Sequence, residues 1–271
     1  MTPDPRPVLQ LTVDGQQVEV ADRGVSLLEV LREDLRLTSV KDGCSPQGQC
    51  GCCTVLVDGQ PRVACVTPAR RVAGRSISTV DGLEPAVRED WAKAFFDTGA
   101  SQCGFCTPGI ICRLEGLRTK SQGAANHAAV EQALLAHLCR CTGWRTILDA
   151  WDVMTGHPTD AEPATTRDAQ RHTVSQVAVR GRDHGDRSGA DQRATIESGG
   201  PQVAAPRIAV GGGQFADDTA APDAVVAVPD GAGGWALGAT LAEARFAAGK
   251  VQGRRTTVDA TPPLELPGGS W

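Results

Sequence analysis

The sequence predicts an α+β protein built in modules, and three observations carry that expectation. Near the start of the chain, two pairs of β-type runs each fold about an Asp-Gly dipeptide. From about Pro85 the hydrophobic period changes from two to nearer four. All ten cysteines lie between Cys44 and Cys141, so the chain changes character after them. At 271 residues it exceeds a minimal domain, and at roughly 100 to 200 residues per domain it suggests two modules.

The runs VLQLTV and QQVEV flank Asp14-Gly15, which predicts an opening hairpin. Ser26 precedes LLEVLREDL with Glu29 at the capping-box spacing, and Leu27, Leu28, Val30, Leu31 and Leu35 supply the apolar face of a short helix. CTVLVDGQPRVAC repeats the strand, turn, strand pattern, and SISTVDGL adds one more strand. Val87, Trp91, Ala94 and Phe95 then mark a first longer helix. Thr107 and Pro108 read as N-cap and first turn of a second, with Ile110, Ile111, Leu114 and Leu117 as its buried stripe. AVEQALLAHL predicts a third with Val130, Leu134, Leu135 and Leu138 on one face, and WRTILDAWDVM a fourth with Ile147, Leu148 and Trp151 inward. Four such helices suggest a small bundle.

From His157 to Gln202 the chain is polar and poor in large apolar side chains, the composition of a linker that stays disordered. Apolar runs return in PRIAVGGGQFADD, DAVVAVPDGAGGWALG and TLAEARFAAGK, enough for a few strands and one helix of a partial α/β domain. The Gly211 to Gly213 run lacks a dinucleotide-binding pattern and reads as a flexible turn. GRRTT at 253 to 257 reads as a solvated strand edge.

A formal charge of −5 with scattered Lys and Arg argues against a phosphate-backbone binder, which needs a concentrated basic face. The start MTPDPRPVLQ has no basic region followed by an apolar stretch, and no run of 18 apolar residues occurs, so the expected compartment is the cytoplasm. Ten cysteines in such a chain point to metal or redox chemistry rather than a disulfide scaffold.

Cys44, Cys50 and Cys53 stand as C-x5-C-x2-C in GCSPQGQCGCCTV, and Cys65 follows the next hairpin. Thiolates on a Gly-rich loop with a distant fourth resemble the plant-type [2Fe-2S] pattern of C-x4-C-x2-C, here with one added residue after Cys44. Gly48 and Gly51 let such a loop fold tightly and turn backbone N–H groups toward sulfur. The second set is Cys103 and Cys106 in SQCGFCTPG with Cys139 and Cys141 in HLCRCTGW. Helix packing would join these pairs in one four-thiolate centre beside a helix N-terminus. Four cysteines in two short pairs also make structural zinc sites, and spacing alone leaves that open.

Taken together, GCSPQGQCGCCTVLVDG, Cys65, SQCGFCTPG and CRCTGW resemble the iron-sulfur subunit or segment of the xanthine dehydrogenase, aldehyde oxidase and carbon monoxide dehydrogenase family of molybdenum hydroxylases. The resemblance spans residues 7 to 156. It implies a β-grasp ferredoxin domain over residues 1–83 and a four-helix [2Fe-2S]-binding domain over 84–156, beside the linker over 157–202 and the partial domain over 203–271 read from composition. It implies Cys44, Cys50, Cys53 and Cys65 as ligands of one cluster, and Cys103, Cys106, Cys139 and Cys141 as ligands of another. Gln102 and Cys141 are the residues the family brings to the pterin of a molybdenum cofactor on a partner chain. Electrons would then pass from molybdenum through both clusters to FAD on a partner chain or to another acceptor. GQFADD weakly resembles the opening of the molybdenum-binding chain, so the last domain reads as the start of that region.

Eight ligands leave Cys52 and Cys112, which read as small buried residues. His127, His137, His157, His172 and His184 read as surface or capping residues, and Trp91, Trp144 and Trp151 as bundle core. No catalytic acid, base or nucleophile is expected in this chain. The competing functions are a zinc-stabilised interaction module and a ferredoxin-type carrier for another oxidoreductase.

Overall fold

The structure is a computed structural model, and it describes residues 7–156, 205–213, 215–221 and 223–249. The expected linker over 157–202, three of the histidines and the GRRTT stretch lie outside the described residues. The described residues up to Phe215 form one compact unit and those from Ala216 a second.

Strands β1 (Val8–Val13) and β2 (Gln16–Ala21) form the opening hairpin. Its turn holds Asp14 and Gly15 at φ +49° and +79°, the paired left-handed backbone that favours Asp-Gly. Asp14 also accepts from the Thr79 amide at 2.7 Å and the Thr79 hydroxyl at 2.8 Å, which pins the turn to a distant segment. Strands β3 (Thr54–Val57) and β4 (Gln60–Val63) form the second hairpin, again about a left-handed Asp-Gly pair. With β5 (Ser76–Ser78) they complete a five-stranded mixed sheet of order β2-β1-β5-β3-β4, in which β1 and β5 run parallel.

The helix after Ser26 is shorter than its apolar pattern suggests. Ser26 caps it by accepting from the Glu29 amide, but after α1 (Leu27–Glu29) the backbone widens into a π turn over Val30–Asp34. The Leu35 amide reaches the Val30 carbonyl, five residues back. Leu27, Leu28 and Leu31 still pack with Leu9, Leu11, Val13, Val55, Val57 and Ile77 as the core of the sheet.

Four helices follow: α2 (Pro85–Asp97), α3 (Thr107–Ser121), α4 (His127–Leu134) and α5 (Arg145–Thr155). Trp91, Phe95, Ile110, Ile111, Leu114, Val130, Leu134, Ile147 and Trp151 are buried together. The indoles are satisfied, Trp91 donating to Glu115 at 2.8 Å and Trp151 to the Ala125 carbonyl at 3.2 Å. Two boundaries differ from the expectation. Helix α3 starts at Thr107 itself, with Cys106 at the N-cap and the Thr107 hydroxyl beside Ser101. Helix α4 stops at Leu134, and Leu135 and Leu138 are exposed rather than buried. Apolar spacing extends past the helix because the chain must turn there to present Cys139.

All four residues of β3 are buried because each face meets a different core. Val55 and Val57 face the sheet core and Leu56 the helical core, where a Cβ on Gly116 would stand 2.4 Å from Pro61. This sandwiched strand carries the Cys53 loop into the helices. No helix among the described residues is long and apolar enough to cross a membrane.

Residues 205–213 and Phe215 return to this first unit, with a π-type turn over Ile208–Gly212 that buries Ala209 and Val210 in the helical core. The second unit comprises α6 (Ala216–Thr219), a hairpin of β6 (Val226–Pro229) with β7 (Trp235–Gly238), and α7 (Leu241–Ala247). Gly238 is held close against α7, where a Cβ would stand 2.4 Å from the Ala244 amide.

Candidate metal centres

The hairpin of β3 and β4 builds half of the first centre. Its register sets Thr54 opposite Val63, so Cys53 and Cys65 are brought side by side where the two strands leave the sheet. The Cys65 amide donates to Cys53 Sγ at 3.4 Å. The other half is the loop from Asp42, whose carboxylate accepts from the Ser45 amide at 3.1 Å. Gly48 and Gly51 adopt φ +66° and +71°, and the loop turns the amides of Gln49 and Cys50 onto Cys44 Sγ at 3.3 Å each. The Cys50 thiol interacts with those of Cys52 and Cys44, and Cys53 with Cys65. Hydrogen bonding from Cys52, and further from Cys44, draws the Cys50 thiol down to about 5. The bond from Cys53 draws Cys65 down to about 7, while Cys53 itself is pushed up by that shared bond and by burial. Hydrogen bonds from neighbouring thiols thus favour the thiolate form at Cys50 and Cys65.

The second centre sits between the start of α3 and the loop before α5. Cys141 Sγ lies 3.5 Å from Cys103 Sγ, and Cys106 interacts with Cys139. The Phe105 amide donates to Cys103 and the Thr142 amide to Cys139, each at 3.5 Å, and the Thr142 hydroxyl is 3.2 Å from Cys139. Hydrogen bonding from Cys106, then from Thr142, holds Cys139 at about 4. Cys106 occupies the N-cap of α3, where the helix dipole favours negative charge. Gln102 and Cys141 are exposed beside this pair.

The two centres touch. The Leu138 amide, one residue before Cys139, donates to the Cys50 carbonyl at 3.0 Å. A Cβ on Gly109 of α3 would stand 2.3 Å from the Gly51 carbonyl and 2.7 Å from that of Cys52. His137 is the residue the sequence reading misplaced. It is buried rather than superficial, with Nε2 3.0 Å from the Thr54 hydroxyl and its ring over Gly51. Burial, with the Arg113 charge, lowers it to about 4. Its position just before Leu-Cys-Arg-Cys was the available signal. His127 bonds Asp152 at 2.7 Å, and Cys52 and Cys112 are buried.

These donors fit [2Fe-2S] centres. Among the described residues no three Cys, His, Asp or Glu side chains converge as on a single metal ion, and each set gathers its thiols in neighbouring contacts. Four thiols spread over each site suit a centre of two irons, and the sulfur-directed amides suit its negative charge.

A family described as a 2Fe-2S iron-sulfur cluster binding domain matches residues 11–73, and one described as a [2Fe-2S] binding domain matches residues 79–152. The nicotine 6-hydroxylase small subunit of Paenarthrobacter nicotinovorans is 38% identical over 150 residues, covering 55% of this chain and 90% of the relative. The chain belongs to the iron-sulfur subunits of the xanthine dehydrogenase and aldehyde oxidoreductase family. A second such subunit, the nicotinate dehydrogenase small FeS subunit of Eubacterium barkeri, is 38% identical over 141 residues and covers 50% of this chain and 87% of its own. The solved aldehyde oxidoreductase of Desulfovibrio desulfuricans matches at a TM-score of 0.60 and 27% identity, covering 82% of this iron-sulfur chain and 24% of its own. The chain thus spans about a quarter of that enzyme's length. As an iron-sulfur component of this family, it is an electron-transfer part of an oxidoreductase.

Proposed function

We propose that this chain holds one [2Fe-2S] cluster on Cys44, Cys50, Cys53 and Cys65 and a second on Cys103, Cys106, Cys139 and Cys141, and links a molybdenum-pterin partner to FAD or another acceptor. When bound, each cluster takes up and passes on one electron. The observation that carries the reading is the bond from Leu138 to the Cys50 carbonyl, which joins a residue adjacent to Cys139 directly to a residue of the first centre. The chain's own contribution is to hold the thiols in pairs, aim amides at sulfur and exclude water through Gly51, Gly109 and His137.

On this reading residues 1–83 are a β-grasp ferredoxin domain and 84–156 a four-helix cluster-binding domain, joined by β3 and α3. The exposed Gln102 and Cys141 face the pterin of a molybdenum-binding partner. Residues 203–271 are the start of a molybdenum-binding region, a reading supported by the 82% of this chain that the aldehyde oxidoreductase covers. The cytoplasm is the proposed compartment.

Electron paramagnetic resonance of the dithionite-reduced chain, with iron, sulfide and zinc measured on the same sample, tests the proposal. Two distinct signals at about four irons per chain are expected from two such centres. Zinc without a signal sinks it in favour of a structural module. Cys139→Ser should remove one signal while Cys52→Ala leaves both, and the reverse result overturns the ligand assignment.

A further inference from the structure

Residues 205–213 and Phe215 pack on three segments of the first unit that are far away in sequence. Ala209 and Val210 are buried in the helical core, and the Val210 carbonyl accepts from Arg88 of α2 at 3.4 Å. Phe215 meets Phe105 edge to face at 4.9 Å between ring centroids, and the Lys41 ammonium stands 5.0 Å from the Phe215 ring. Phe105 belongs to the Cys103 to Cys106 loop, and Lys41 precedes the Cys44 loop.

The glycine run that read as a flexible turn is instead a close-approach backbone. A Cβ on Gly211 would stand 2.7 Å from Ser39, and one on Gly213 2.8 Å from the Cys103 carbonyl. From the other side, a Cβ on Gly104 would stand 2.5 Å from the Ile208 carbonyl. Glycines on both partners let main chain lie on main chain over the Cys103 loop, and the aromatic pair closes the end.

We infer that residues 205–213 with Phe215 are a built-in strap that covers the Cys103 to Phe105 loop and sets the solvent exposure, and so the reduction potential, of the helical-domain cluster. The inference rests on the cluster reading above. Reduction adds a negative charge to a centre that four thiolates already make anionic, and removal of water disfavours the more highly charged state. A seated strap therefore lowers the potential of that centre relative to one open to solvent. The ferredoxin-type cluster, whose loop the strap meets only before Cys44, through Ser39 and Lys41 among the described residues, serves as an internal reference.

The test is a redox titration of both signals in the full chain and in Phe215→Ala, Phe215→Tyr and Ala209→Asp. Phe215→Ala should raise the reduction equilibrium of the helical-domain cluster by about tenfold, about 59 mV for a one-electron couple. Phe215→Tyr should restore it, and Ala209→Asp, which unseats the strap at its buried end, should shift it the same way. A helical-domain potential that does not rise, or one that rises equally in both clusters, overturns the inference. Hydrogen exchange separates its failure from failure of the cluster reading, because it needs no iron. The Gly104 and Phe105 amides should exchange at least about tenfold faster in Phe215→Ala, and unchanged protection overturns the strap even where both clusters are present.

Discussion

At Gly109 a single hydrogen decides whether two modules fit. The position lies in the first turns of α3, yet what it meets are the main-chain oxygens of Gly51 and Cys52 from the other centre. Backbone cannot rotate aside as a side chain would, so an added methyl must push the Cys50 loop away. Gly109→Ala should cost about 1–3 kcal/mol, the range of overpacked cores. It should also perturb the ferredoxin-type signal, although the substitution sits in the helical module; thermal unfolding and paramagnetic resonance check the two halves. Trp91 makes a different kind of demand, since its N–H satisfies the buried Glu115. Trp91→Phe leaves that oxygen one donor short, and Tm should fall by an amount corresponding to about 1–3 kcal/mol. Neither effect could be read from residue type alone, because both depend on which atom lies opposite.

At the scale of elements, α4 shows where pattern and structure part. Val130 and Leu134 are buried as the helical spacing predicts, but the helix ends there and Leu135 and Leu138 face outward. The chain stops being helical because His137 must reach Thr54 and Leu138 must donate to the Cys50 carbonyl. Neighbouring leucines should therefore behave oppositely. Leu134→Ser should cost several kcal/mol, by comparison with about 2–5 for truncating a core leucine, whereas Leu135→Ser should stay within about 0.5. Denaturant unfolding of the two variants separates them, and equal losses would contradict the exposed placement. The hairpins were more legible: each Asp-Gly pair adopts the left-handed turn expected of it, because that conformation is a local property of the dipeptide.

Across the whole first unit, the two cores meet at β3 and at the cysteine loops, so clusters held on those loops would couple binding to folding. Removing iron and sulfide should lower Tm and loosen both modules, with faster amide exchange at Gly51, Leu138 and Phe105. A chain whose stability is unchanged by chelation would show that the thiols do not staple it.

The sequence by itself determined where the two cysteine sets lie and which elements flank them. Cysteine spacing, the two Asp-Gly hairpins and the change of period at Pro85 are local or compositional signals, and they identified both cysteine sets, the strands and the helices. Tertiary structure alone decided how the sets meet. The burial of His137, the contact of Gly109 with Gly51, the early end of α4 and the seating of the Gly211 to Gly213 run all join segments dozens of residues apart. Such contacts leave no periodic trace, because they depend on steric fit between backbones that only the completed fold brings together.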